Sequence, residues 1–169
     1  MDRQRGDLSL AVFGILLVAA LVLVPLSGAL LPPTVASHFG ATGEPNGFMA
    51  RGSYVVLMTA LAVGMPLVMV ASIAWRVERN PQRLKIPHRL YWLAPERLDE
   101  SAAYITLHTT RFATILIVFL AFVHALVVRA NLMHPPRIEM SPLLALIALF
   151  VVATGIWLWA LRARFAAPG

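Results

Sequence analysis

The chain has 169 residues, 59% of them hydrophobic and 13% charged, where a soluble domain carries about 25% charged residues. It has no cysteine, which excludes disulfides, thiolate metal sites and cysteine nucleophiles. The net charge of +6 does not point to nucleic acid as a partner, because the basic residues flank apolar runs of membrane length, where topology explains them.

A helix crossing about 30 Å of hydrocarbon needs about 20 residues, and lipid leaves its backbone no partners but its own. Four runs meet that length. The first spans about 8–31 and follows Arg3 and Arg5; it is longer than a signal-peptide core, so a retained helix is expected. Pro25 lies inside it and predicts a bend over Leu21 to Pro25. The second span, about 54–75, has Gly64 and Pro66 at its middle and Tyr54 and Trp75 at its ends as aromatic anchors. The third, about 112–130, contains His124; the fourth, about 142–161, starts at Pro142 and ends with Trp157 and Trp159 before Arg162 and Arg164. Two small-residue pairs, Ala60/Gly64 and Ala148/Gly155, offer faces for close helix packing.

Of the 14 Lys and Arg, only Arg51, Arg129 and Arg137 fall on the side of the first and third loops. That bias places the N-terminus, the 76–111 loop and the C-terminus in the cytoplasm. The expected architecture is an all-α integral membrane protein of four transmembrane helices in a single domain, 1–169.

The first loop, 32–53, is too irregular for a helix and too rich in Gly and Pro for a long strand. Its length predicts a compact structured cap. Asn46-Gly47 suits a tight turn with positive φ, and His38, Phe39 and Phe48 form a polar-aromatic cluster set to fold onto the helix ends. With Glu44, these residues are the candidate partner or ligand loop. The second loop opens with a basic stretch that favours anionic headgroups. It continues through Arg89, Tyr91, Trp92, Pro95, Glu96 and Arg97, the candidate cytoplasmic interface. From Pro95 the pattern becomes helical, with Leu98, Ala102 and Ile105 on one face, and predicts an interfacial amphipathic helix over about 95–111 leading into the third span.

His38 and His134 belong to outer loops, and His124 lies seven residues, about 10 Å, below the outer end of its span. Imidazoles in one half of the molecule make His38, His124 and His134 a metal-ligand hypothesis, with Glu44 and Glu139 nearby in sequence. The alternative for His124 is a neutral ring bonded to a neighbouring helix, marking the inward face of its span. A haem between His108 and His124 is not expected, since sixteen residues separate them by about 24 Å along one helix, and no cofactor is expected. Asn131 reads as a cap for the third span.

Two stretches carry a resemblance. Leu31-Pro32…His38-Phe39…Gly43-Glu44-Pro45-Asn46-Gly47-Phe48 and Ile86-Pro87…Tyr91-Trp92-Leu93-Ala94-Pro95-Glu96-Arg97 resemble a bacterial membrane-protein family of unknown function. Its N-terminal module is shared with SdpI-type immunity and signalling proteins. The resemblance covers about 8–130. Phe48 stands where a tryptophan or tyrosine is often seen, and Lys85 and His88 replace asparagines of the second motif. The SdpI-type relatives protect against a secreted toxin and sequester a repressor at the membrane. They carry further spans after the module that this chain is not expected to have, so the resemblance implies a general accessory or signalling role more than either activity.

No hydrolase, kinase or nucleotide motif is present, and the spans hold no carboxylate after Asp7 on which an ion-driven transporter would depend. The expected function is therefore non-enzymatic. The chain reads as a small inner-membrane accessory subunit or signalling partner, in contact with lipid and with another membrane protein or complex. An immunity-type protein binding an extracytoplasmic peptide or small molecule at His38 to Phe48 is the alternative, and a metal-dependent membrane enzyme the third reading. The sequence leaves the oligomeric state open.

Overall fold

In the computed structural model, which describes residues 2–167 with side chains from Gly6 onward, four helices are long and apolar enough to cross a membrane. Arg3 and Arg5 of the charge bias lie outside the described side chains. The helices are α1 (Asp2–Gly28), α2 (Arg51–Arg79), α4 (Leu98–Leu132) and α5 (Met140–Arg164), and a single turn, α3 (Arg89–Trp92), lies between α2 and α4. This is the architecture of a multi-pass membrane protein. At one end of the bundle an antiparallel hairpin, β1 (Thr34–Phe39) and β2 (Pro45–Ala50), joins α1 to α2; at the other, the basic loop joins α2 to α4.

α4 is the central helix. Its buried residues run from Ser101 to Asn131, and it packs against α1, α2, α5 and β1. The surface helix expected over 95–111 and the third span are one continuous helix of 35 residues. At 1.5 Å per residue it is about 52 Å long. That is longer than a bilayer's hydrocarbon is thick, and Ser101, Ala102, Ile105 and His108 are buried within the protein.

α5 is peripheral: none of its residues is buried, and it meets α4 along an aromatic seam. Phe119 stacks on Phe150 with centroids 4.2 Å apart, and Phe112 leans on Trp157 at 4.7 Å. Trp157 also forms reciprocal bonds with α4, its Nε1 donating to His108 O (2.9 Å) while His108 Nε2 donates to Trp157 O (3.0 Å). Trp157 thus joins two helices, where the sequence predicted an interfacial anchor; Trp159 and Trp75 are exposed.

α1 runs through Pro25 to Gly28 as helix. In α2 the residues before Pro66 form a π segment, Ala60–Gly64, and Met65 N–H donates to Ala60 O five residues back. A proline ring collides with the carbonyl four residues earlier, and widening the turn makes room for it.

The small-residue pairs do not pack inside the chain. Ala60, Ala148 and Gly155 are exposed, and a Cβ added to Gly64 or Gly155 would meet nothing within 4 Å. The close helix approach is at Gly28, where a Cβ would lie 2.5 Å from Val55 Cγ2.

Candidate functional site

The hairpin is built from a stretch whose glycines and prolines argue against strands, and its tertiary bonds explain why strands form. Arg51 N–H donates to Pro33 O (2.9 Å), which extends the ladder by one pair beyond Thr34 and Ala50. Antiparallel pairs alternate between exchanging bonds and pointing their polar groups outward, so Ala36, opposite Phe48, turns its N–H and C=O away from β2. Asn131 of α4 receives both: Ala36 N donates to Asn131 Oδ1 (2.7 Å) and Asn131 Nδ2 donates to Ala36 O (2.9 Å). Nδ2 also donates to Val127 O on its own helix (2.9 Å). The amide stands in for one residue of a third strand. Ala36 and Asn131 are both buried, and an unpaired backbone group there would cost about 1–3 kcal/mol. Asn131 was expected to cap its own helix; its side chain instead fixes the hairpin to the bundle.

Three further contacts complete the cap. Arg51 Nη1 donates to Ala29 O (3.3 Å) and Leu31 O (3.0 Å), placing its charge at the C-terminal end of α1, the negative end of that helix dipole. The hairpin turn is Gly40 to Glu44, closed by Gly40 N–H to Glu44 O (2.8 Å) and Gly43 N–H to Gly40 O (3.0 Å), with Thr42 Oγ1 bonded to Glu44. The turn then docks on the α4–α5 linker through Ile138 N–H to Gly43 O (3.0 Å) and Arg137 Nη2 to Thr42 O (3.0 Å). Gly43 has φ +91° and a Cβ there would collide with Ile138 O, so the position needs glycine for two reasons. The turn assigned to Asn46-Gly47 is therefore corrected: both residues lie in β2, and Gly47 sits under His38, whose Cβ would be 3.0 Å from a Cβ at that position.

The predicted loop residues divide between two faces. Phe39 and Met49 pack on the bundle core, while His38, Glu44, Asn46 and Phe48 are exposed, Phe48 at 59%. The aromatic cluster expected to fold down is thus split, with Phe39 inward and Phe48 outward.

Below the cap, His124 joins three helices. Ser27 Oγ gives its proton to Leu23 O (2.5 Å), so it accepts from His124 Nε2 (2.9 Å), and Tyr54 Oη donates to His124 Nδ1 (3.0 Å). With these roles the ring carries its proton on Nε2. Tyr54 is buried in this chain of bonds and stacks on the ring, where an interfacial anchor was predicted. The three histidines of the metal hypothesis are not brought together. Both nitrogens of His124 are engaged, His38 is exposed on the hairpin and His134 on the α4–α5 linker. Among the described residues no group of three His, Cys, Asp or Glu is placed to hold a metal. Glu139 pairs with Arg129 at 2.7 Å. Beside His124, an apolar groove of about 700 Å³ runs between α1 and α4, with Ser27, His124 and Arg129 as its polar lining.

At the basic end a second apolar cluster forms from Leu84, Leu93, Ile105 and Phe165. Trp92 Nε1 donates to Ala166 O (3.1 Å), Ser101 Oγ to Trp92 O (2.7 Å), and Arg164 lies over the Trp92 ring at 4.6 Å while pairing with Glu100 at 2.7 Å. Of the predicted interface residues, Trp92 is part of this knot and Arg97 covers Tyr91 at 4.0 Å; Arg89, Pro95 and Glu96 are exposed. The docking role of Asn131 and the parts played by Arg51, Gly43 and Phe165 are not among the sequence expectations. An asparagine at the end of an apolar run was the one available signal.

Residues 12–70 match the family model described as Domain of unknown function (DUF1648), a domain found in membrane proteins such as SdpI-type ones. The match takes in most of α1, the whole hairpin and α2 as far as Val70, and it ends before the Ile86–Arg97 motif. No curated protein and no solved structure matches the chain.

Proposed function

We propose that the chain is a non-enzymatic protein of the bacterial inner membrane, an accessory subunit or signalling partner that acts by contact with another membrane protein. The observation that carries this reading is how the polar side chains of the hairpin half are used. Tyr54, His124 and Ser27 form one chain of bonds, and Asn131 and Arg51 bind backbone of the cap. These groups build a rigid platform on which Asn46 and Phe48 face outward, and the platform is what a partner would meet. The outward small residues of α2 and α5 extend the available surface along the helices. In this reading the hairpin lies outside the cell. The basic loop and both termini lie in the cytoplasm, an arrangement favoured by the distribution of Lys and Arg and by the Trp92 and Arg164 contacts that join loop and C-terminal segment. Extraction in gentle detergent followed by crosslinking should recover a stoichiometric membrane partner. Its loss on Phe48→Asp, with the chain still folded, would place the contact on the hairpin. A solitary chain under every crosslinking condition would remove the proposal.

A second reading, protection by binding an extracytoplasmic peptide or small molecule, draws on the family of the matched domain and on the exposed His38–Phe48 face. Replacing His38 should then abolish protection at unchanged protein level. Full protection with His38→Ala would rule this reading out.

A further inference from the structure

A pocket of about 210 Å³ opens at the basic end between α2, the 84–86 segment, α4 and α5. Its walls are Ile73, Leu84, Ile86, Ile105, Trp157 and Leu161, with Thr109 beside them. Two cations, Arg76 and Lys85, close its lining, and no carboxylate does. Glu78 is two residues beyond Arg76, about 200° around the helix and so on the other face. Glu100, the acidic residue of α4's first turn that reaches across to α5, is held by Arg164.

We infer that this pocket binds the phosphate headgroup of an anionic phospholipid from the leaflet on the basic side. The combination is specific: two uncompensated cations at the mouth of an apolar throat match a ligand with a negative head and a greasy tail, and they sit where α2 emerges past Trp75, at headgroup depth. The volume equals about seven waters' share of liquid, enough for a phosphate and its glycerol carbons; the acyl chains would lie outside, along α2 and α5. The flanking cations Arg79 and Arg83 are exposed, as Arg76 and Lys85 are, but do not line the pocket. They supply diffuse attraction to any anionic surface, which salt screens within about 10 Å at 0.1 M.

The site and the diffuse field can be separated with the full chain in detergent, by native mass spectrometry after addition of phosphatidylglycerol or phosphatidylcholine. Phosphatidylglycerol should be retained at one copy per chain and phosphatidylcholine should not. Arg76→Gln with Lys85→Gln should reduce retention about tenfold, while Arg79→Gln with Arg83→Gln, an equal loss of charge, should change it less than about twofold. Thermal unfolding of both variants checks that each is folded. Equal loss in the two pairs would overturn the site in favour of a diffuse field. Displacement of the lipid by millimolar glycerol phosphate would overturn the assignment to a lipid and leave an anion site.

Discussion

The two ends of the bundle are held together by different proportions of bonding and packing. The hairpin end relies on directional bonds: an asparagine amide on Ala36, an arginine on two helix-end carbonyls, a linker amide on Gly43. The basic end adds a ring cluster to its bonds: Trp92 and Ser101 bind backbone there too, but Phe165 is fully buried against Trp92 and Tyr104 with Arg164 laid over their rings. Bonds to fixed backbone atoms tolerate almost no change of geometry, whereas an aromatic cluster repacks around a change of shape. The cap is thus the better-defined surface, and the basic knot the more adaptable one.

The largest effect expected on this contrast comes from Phe165→Ala. Emptying that site should cost about 3–5 kcal/mol in chemical unfolding and expose the 84–98 segment to protease, leaving hydrogen exchange in the hairpin unchanged. Equal loss of protection at both ends would show that they unfold as one unit. Asn131→Leu should come next, at about 2–4 kcal/mol, because two backbone groups of Ala36 lose their partner. Here the exchange should rise across 34–50 while the basic end stays protected, and a hairpin still protected would mean that the amide does not hold it. Gly43→Ala follows at about 1–3 kcal/mol from its positive φ alone, with the collision on Ile138 adding to it; a variant as stable as the parent would contradict the turn described. Smallest is Arg164→Lys, under about 1 kcal/mol, since its partner Glu100 is largely exposed. A drop comparable to Phe165→Ala would show that the guanidinium, and not the ring cluster, organises the basic end.

The four helices were legible because the signal for each is local: an apolar run of sufficient length has no other low-energy form in lipid. His124's inward position was legible for a related reason, since a polar ring in a span is drawn toward protein partners. The strands were not, because Ala36 and its partner Asn131 are 95 residues apart and nothing within Thr34–Phe39 states that its edge will be covered. The turn went to the wrong glycine on similar grounds. Asn46-Gly47 carries the stronger short-range signal, but contact with Ile138 decides the matter in favour of Gly43. The helix expected before the third span is present, but as part of that span and not as a separate surface element. Its apolar stripe was real, and the knot around Phe165, contributed by the far end of the chain, gave that stripe a protein surface to cover instead of lipid.

The widened turn at Ala60–Gly64 does more than make room for a proline ring. Tyr54, Met58, Ala62 and Pro66 are the buried residues of α2, one at every fourth position. In an unbroken α-helix such a series would rotate about 40° per step, some 120° from first to last, carrying Pro66 off the side on which Tyr54 meets His124. The wide turn takes back part of that rotation and keeps all four on a single seam. Ordinary winding over the same residues would turn everything beyond the segment, Arg76 included, by roughly a quarter of a revolution relative to the hairpin.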